Sequence, residues 1–146
     1  AHDAHGTPAY ETEFKALSMD LERGTDLPVN AEAAAQEVLS AISTGRTTCV
    51  FRCVGEAEGF AIVRPSGLGS REVRVGDRLR VEVPPVGAAT SRIEIGGAGR
   101  LEPDGRTVLA TRPGALLIEV WVLGPGAVYG EAWRPWIIPS PIWVKR

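Results

Sequence analysis

Cysteine is scarce in this sequence, and its two cysteines do not support a disulfide framework. Cys49 and Cys53 both fall in Thr47–Val54, whose residue pattern predicts a strand. Residues four apart in a strand lie roughly 13 Å from each other, whereas a disulfide needs Cα atoms about 5.5 Å apart. Two isolated thiols are also too few for a metal site. We therefore expect both cysteines to act as small buried apolar residues.

The sequence also lacks an excess of basic residues and any long apolar run. It has 16 lysines and arginines against 18 acidic residues, which gives a formal net charge of −2. Nucleic-acid-binding domains normally carry a basic stripe, so no nucleic-acid partner is expected. No apolar segment reaches the roughly 20 residues that span a bilayer, so no membrane partner is expected. A Gly-rich phosphate loop, a nucleophile elbow and a Cys–His catalytic pattern are absent as well.

The first third of the sequence predicts a helical lead-in. Asn30 is a good N-cap for a helix over Ala31–Thr44, a segment rich in strong helix formers. Gly45 is a natural stop for this helix. A weaker helical periodicity runs through Glu11–Arg23, so one or two helices are expected before the β region.

After Thr47 the pattern changes to short β runs separated by Gly, Pro and Asp. Pro103-Asp104-Gly105 predicts a turn, because proline presets φ and glycine accepts a positive φ. Seven strands at near-regular spacing predict a mainly β fold, an antiparallel immunoglobulin-like β-sandwich, with a small barrel as the alternative. The predicted strands are Thr47–Val54, Gly59–Arg64, Arg78–Val83, Ser91–Gly96, Thr107–Thr111, Ala115–Leu123 and Trp136–Val144.

The opening residues contain three side chains that could ligate a metal, His2, Asp3 and His5. Imidazole nitrogen and carboxylate oxygen suit zinc, manganese or iron. In an extended segment Asp3 and His5 point to one side and His2 to the other. Catalytic metals usually have three or four ligands, and the sequence has no third histidine. A solvated terminus is the alternative interpretation.

The tryptophan-rich end is a second candidate site. Trp133, Arg134 and Trp136 form a candidate ligand surface, because exposed aromatic rings bind sugars and flat apolar ligands, and an arginine beside them can stack or hold an anion. The alternative is that the tryptophans fill a sandwich core or seal a domain interface. In that case the nearby prolines mark an irregular edge strand.

Several short motifs follow one another along the chain. They are Asp3-Ala4-His5, Tyr10, Phe14-Lys15, Ala41–Arg46, Gly59-Phe60, Pro113-Gly114, Ile118–Trp121 and Pro135–Val144. In this order they resemble the C-terminal part of metal-dependent hydrolases with a PHP (polymerase and histidinol phosphatase) domain, of the CehA/McbA type. The resemblance covers nearly the whole chain.

The resemblance implies that residues 1–46 are the tail of a PHP (β/α) barrel with its last helix, and that residues 47–146 are an accessory β-sandwich. It implies that Asp3 and His5 are the final ligands of a divalent-metal cluster (Zn, Mn or Fe) used to hydrolyse a phosphoester or ester. Earlier ligands, beginning with an H-x-D-x-H motif, would lie in the preceding part of the parent protein. The chain would then not be catalytic alone.

The expected partner under this resemblance is the PHP barrel of the parent protein or a second copy of the chain. The alternative function is a stand-alone β-sandwich that serves as a binding or interaction module through its Trp-rich surface. The hydrolase function requires a partner that covers the N-terminal segment. The binding-module function requires a partner at the tryptophan-rich end.

Overall fold

The computed structural model of the chain describes residues 17–21, 28–52, 54–64, 73–86, 89–126 and 130–146. Within these ranges the fold is mainly β, with one helix, α1, at Ala31–Ser43. The strands are β1 Leu17–Leu21, β2 Thr47–Phe51, β3 Ala61–Val63, β4 Val73–Arg74, β5 Arg78–Glu82, β6 Thr90–Gly97, β7 Gly99–Leu101, β8 Thr107–Ala110, β9 Gly114–Gly126, β10 Gly130–Pro139 and β11 Ile142–Lys145.

The strands form two sheets. In the larger sheet β6 pairs with one edge of the long strand β9, while β10 and β11 follow each other along its other edge. The sheet continues from β10 through β2 to β1, and β4 pairs in parallel with β11. The smaller sheet has the antiparallel order β3-β5-β8-β7.

The core lies between the two sheets, because alternate residues of each strand point to the same side. The larger sheet contributes the buried residues Val73, Ile93, Leu116, Ile118, Ile142 and Val144, and the smaller sheet contributes Leu79, Val81, Val108 and Ala110. A second buried cluster consists of Val50, Val120, Val122, Trp136 and Ile137. This face-to-face packing confirms the predicted mainly β, sandwich-like architecture.

The chain passes from the larger sheet to the smaller one at Gly97, the last residue of β6. Gly97 has a φ of 73°, and a Cβ atom at this position would lie 2.1 Å from the carbonyl oxygen of Ala115. The next residue, Ala98, is buried and its N–H donates to the same carbonyl at 2.8 Å. Only glycine fits this corner, because both the backbone conformation and the close approach exclude a side chain.

The helix predicted over residues 31–44 is confirmed. Asn30 Oδ1 accepts hydrogen bonds from two backbone N–H groups of the first turn, at 2.9 and 3.2 Å, as an N-cap does. At the other end Gly45 has a φ of 68°. The N–H groups of Gly45 and Arg46 donate to two carbonyls of the last turn, at 3.1 and 2.7 Å, which is the Schellman arrangement.

The predicted turn at Pro103-Asp104-Gly105 is also confirmed and joins β7 to β8. Gly105 has a φ of 67°. The Asp104 carboxylate accepts a hydrogen bond from the Thr107 hydroxyl at 2.6 Å, and from the backbone N–H groups of Arg106 and Thr107 at 3.0 and 2.8 Å. The Thr107 hydroxyl, followed by the two N–H groups, lowers the pKa of Asp104 to about 2, because all three donors favour the charged form.

The helical prediction over Glu11–Arg23 is wrong for its described part. Leu17–Leu21 is a strand that pairs antiparallel with β2. Backbone pairing with a sheet outweighs a weak local helical periodicity, since helix propensity amounts to only tenths of a kcal/mol per residue. β1 therefore joins the N-terminal segment to the larger sheet.

Other strand boundaries differ from the sequence pattern. β4 and β7 are not predicted, because two or three residues are too few to show a period. The strand predicted over Trp136–Val144 is divided between β10 and β11 at Ser140 and Pro141. β2 ends at Phe51, and its Cys49 is half-buried with a free thiol, whereas Cys53 lies outside the described residues.

Candidate functional site

The predicted metal ligands Asp3 and His5 lie outside the described residues, as does His2. Among the residues that the structure describes, no group of three or more His, Cys, Asp or Glu side chains could hold a metal ion. The metal site at the opening segment therefore stays a prediction from the sequence.

Trp136 lies in the core rather than on a ligand surface. The pairing of β10 with β9 shifts register between Pro135 and Ile137, so that Trp136 is the extra residue of a β-bulge. The bulge allows Trp136 and its neighbour Ile137 to face the core together, and both are 0% exposed. The indole Nε1 of Trp136 donates to the Gly55 carbonyl at 2.8 Å, which satisfies the polar atom of the buried ring.

Trp133 and Arg134 lie on opposite sides of β10, because consecutive strand residues alternate. Arg134 pairs with the buried Val122, and its own Nη2 atom is buried. Trp133 pairs with Leu123 and lies on the outer side. The three residues predicted as a ligand surface, Trp133, Arg134 and Trp136, therefore do not form one surface.

The outer side of the larger sheet carries a different cluster, which we call the tryptophan face. It consists of Arg92, Glu94, Glu119, Trp121 and Trp133. The Arg92 guanidinium carbon lies 4.0 Å from the centroid of the Trp133 ring, a cation–π contact. Since Arg92 is on β6 and Trp133 on β10, the arginine side chain reaches across β9, which lies between those strands.

The carboxylates of the tryptophan face lie opposite each other. Glu94 on β6 pairs with Glu119 on β9, and like charges in such a pair are destabilising unless compensated. Arg92 forms an ion pair with Glu94. The indole Nε1 of Trp121 donates to Glu119 Oε2 at 2.9 Å. The two contacts hold an arginine, an indole and two carboxylates in fixed positions on one surface.

Two exposed apolar side chains extend the outer face beyond this cluster. Trp143 is 67% exposed and lies between the buried residues Ile142 and Val144 of β11. Leu117, on β9, is 41% exposed. The sequence signal for both Trp121 and Trp143 is alternation, because each stands between two inward-facing aliphatic residues.

Helix α1 presents a separate apolar surface. Ala41 is its only buried residue. Ala35, Leu39 and Ile42 recur four and three residues apart, which places them on one side of a helix, and all three are exposed. Leu39 is 65% exposed and Ile42 is 47% exposed. We call these three residues the α1 stripe.

Comparison with known proteins finds no match to any family model, to any curated protein or to any solved structure. In the part of the chain that the structure describes, there is no helix long and apolar enough to cross a membrane.

Proposed function

We propose that this chain is the C-terminal part of a PHP-type metal-dependent phosphoesterase or related hydrolase, and that it is not catalytic alone. In this proposal residues 1–46 are the tail of the barrel with its last helix, and residues 47–146 are an accessory β-sandwich of immunoglobulin-like type. β1 links the two parts, because it belongs to the first and pairs with β2 of the second. The barrel of the parent protein covers α1. In the isolated chain a second copy takes the place of the barrel.

The α1 stripe is the observation that supports this proposal. A helix that belonged only to the sandwich would turn its apolar residues toward the sheets. Instead α1 buries Ala41 alone and leaves Leu39 and Ile42 exposed. The last helix of a barrel needs such an outward apolar side, because it packs against the rest of the barrel as well as against the following domain.

In the parent enzyme, Asp3 and His5 supply a carboxylate oxygen and an imidazole nitrogen to the metal cluster. An extended segment would present both ligands on the same side. The bound divalent metal would supply a water of lowered pKa for attack on the ester. The imidazole must be neutral to act as a ligand, so metal binding competes with protonation of the ring.

The double variant Leu39→Lys with Ile42→Lys tests the role of α1. Val75→Lys is the matched control, because Val75 is 44% exposed against 47% for Ile42 and lies outside the helix. Sedimentation velocity and the fluorescence of anilinonaphthalene sulfonate report self-association and exposed apolar surface. We expect the wild type and the control to associate or to bind the dye, and the double variant to do neither.

The free energy of unfolding completes this test. Lysine at exposed positions should change it by no more than about 0.5 kcal/mol. If the double variant instead loses several kcal/mol, or if the wild type is a monomer that binds no dye, the stripe is covered within the chain and the proposal fails.

A further inference from the structure

We propose that the open edge of β6 pairs with the same edge of a second copy of the chain, in antiparallel register centred on Ile93. The two copies are related by a two-fold axis, so the larger sheets of both join into one continuous sheet. This interface shares no residue with the α1 stripe or with Asp3 and His5. It therefore goes beyond the proposed hydrolase role and does not depend on it.

β6 is an edge strand of the larger sheet. It spans eight residues, Thr90–Gly97, and all of them pair with β9 without a register shift. No other strand among those that the structure describes pairs with β6. A long edge strand is a template for pairing with another chain, and proteins usually protect such edges with proline, lysine or a bulge. Residues 91–95 contain neither proline nor lysine.

The pairing with β9 decides which backbone groups of β6 face the open edge. The Ala98 N–H donates to the Ala115 carbonyl at 2.8 Å. Hydrogen-bonded and non-bonded pairs alternate along an antiparallel ladder, so the even-numbered residues of β6 exchange hydrogen bonds with β9. The Gly97 carbonyl faces away from β9 and accepts from Arg112 Nη2 at 3.1 Å. The residues whose N–H and C=O groups face the open edge are Ser91, Ile93 and Ile95.

The charges of β6 are complementary to those of a second copy. In a register centred on Ile93, Arg92 of each copy lies directly opposite Glu94 of the other. Both side chains are on the outer side of the sheet and are 44% exposed. Such non-bonded pairs bring Cα atoms to about 4.5 Å, and opposite charges there stabilise the pairing. The two-fold axis produces this contact twice.

The same charges disfavour the neighbouring registers. If the second copy moves by two residues along the edge, Arg92 lies opposite Arg92 in one direction, and Glu94 lies opposite Glu94 in the other. Like charges directly opposite each other are destabilising. The register centred on Ile93 also pairs all three edge-facing residues, which gives six backbone hydrogen bonds between the copies. Charge and backbone pairing therefore select the same register.

The core is incompletely covered on this side of the sandwich. β6 and β7 are edge strands of the two sheets, and only Ala98 separates them in the chain. Ile95 on β6 and Leu101 on β7 pack against the core cluster but are only half-buried. A second copy along β6 removes part of this apolar surface from water.

The pairing is weak because it is small. An eight-residue strand is about a third of the roughly 20–30 residues that each side of a standard interface uses. We expect a Kd of about 0.1–1 mM. At about 10 µM the edge is largely unpaired, so sedimentation at that concentration reports association through α1 alone.

Amide hydrogen exchange, measured by NMR on the 15N-labelled full chain, tests the pairing residue by residue. The exchange rates of the Ser91, Ile93 and Ile95 N–H groups should fall about twofold or more between about 0.05 and 1 mM protein. The N–H groups of Arg92 and Glu94 are the internal control. They already donate to β9, so their protection should not depend on concentration.

Charge-reversal variants test the register. Arg92→Glu and Glu94→Arg each place like charges opposite each other, so each variant alone should lose the concentration dependence. An equimolar mixture of the two variants should regain it, because every pair in the mixed dimer is then of opposite charge. The chain that carries both substitutions should regain it as well. Arg80→Glu is the matched control, since Arg80 is an exposed arginine on β5 of the other sheet. Circular dichroism checks that each variant is folded.

Three results would overturn the proposal. The first is exchange at Ser91, Ile93 and Ile95 that is the same at both concentrations in the wild type. The second is a concentration dependence that persists in both single variants, and the third is a mixture that does not regain it. The Leu39→Lys with Ile42→Lys variant should behave as the wild type does in this experiment. A failure of the hydrolase proposal and a failure of this one are therefore distinguishable.

Discussion

The substitution Trp136→Phe should destabilise the protein substantially, whereas Trp143→Phe should not. Trp136 is 0% exposed, and its indole donates a 2.8 Å hydrogen bond to the half-buried Gly55 carbonyl. Phenylalanine removes this hydrogen bond, at a cost of about 1 kcal/mol. The smaller ring also loses apolar contacts and leaves a cavity, which costs about 1–2 kcal/mol more. The expected loss is therefore about 2–3 kcal/mol.

Trp143 provides the matched control, because it is a tryptophan of the same sheet that is 67% exposed. The free energy of unfolding of Trp143→Phe should stay within about 0.5 kcal/mol of the wild-type value. Urea unfolding followed by circular dichroism gives the free energies, and Tm should fall by about 5–10 °C for Trp136→Phe alone. If both variants lost the same free energy of unfolding, or if Trp136→Phe lost none, the placement of the Trp136 ring in the core would be refuted.

Two further predictions concern turns. Gly97→Ala should cost about 2–5 kcal/mol, because it combines a positive φ with a Cβ 2.1 Å from a carbonyl oxygen. Gly105→Ala shares the positive φ, but its Cβ would meet nothing within 4 Å, so it should cost only about 1–2 kcal/mol. Urea unfolding midpoints compare the two variants. Equal costs would contradict the close approach of Gly97 to the Ala115 carbonyl. Asp104 has its pKa lowered from 3.8 to about 2. It therefore stabilises the fold fully above about pH 4, and this stabilisation is lost as the pH falls through 2. The Tm difference between wild type and Asp104→Asn should be constant from pH 7 to about 5 and shrink below about pH 4; a difference that does not change with pH would argue against the turn as the cause.

Local signals in the sequence were enough to predict the helix, its caps and the β7–β8 turn. Asn30, Gly45 and Asp104 each form hydrogen bonds to groups only two or three residues away in the chain. Interactions of this kind depend on neighbours in the chain, which the sequence displays directly.

Pairing between distant segments could not be predicted in the same way. β1 is a strand because β2 offers it a partner about 30 residues later, and nothing within Leu17–Leu21 reveals that partner. The bulge at Trp136 is likewise a property of the β9–β10 pair rather than of either strand alone.

The ligand surface predicted from Trp133, Arg134 and Trp136 conflicts with the alternation of side chains along a strand. Strict alternation already places Trp133 and Trp136 on opposite sides of a strand. The same rule places Trp121 outward between the buried Val120 and Val122. Arg92 could not be assigned to Trp133 from the sequence, because the contact joins β6 to β10 across the intervening strand β9.

Metal binding by the opening segment is the most direct test of the proposed hydrolase origin. The isolated chain is titrated with Mn²⁺ and with Zn²⁺ by calorimetry, in the wild type, in Asp3→Ala with His5→Ala, and in His2→Ala as the control. We expect the double variant to bind at least about tenfold more weakly. His2→Ala should bind as the wild type does, because residue 2 of an extended segment would point away from residues 3 and 5. Equal affinity in all three proteins would contradict the assignment of Asp3 and His5 as metal ligands.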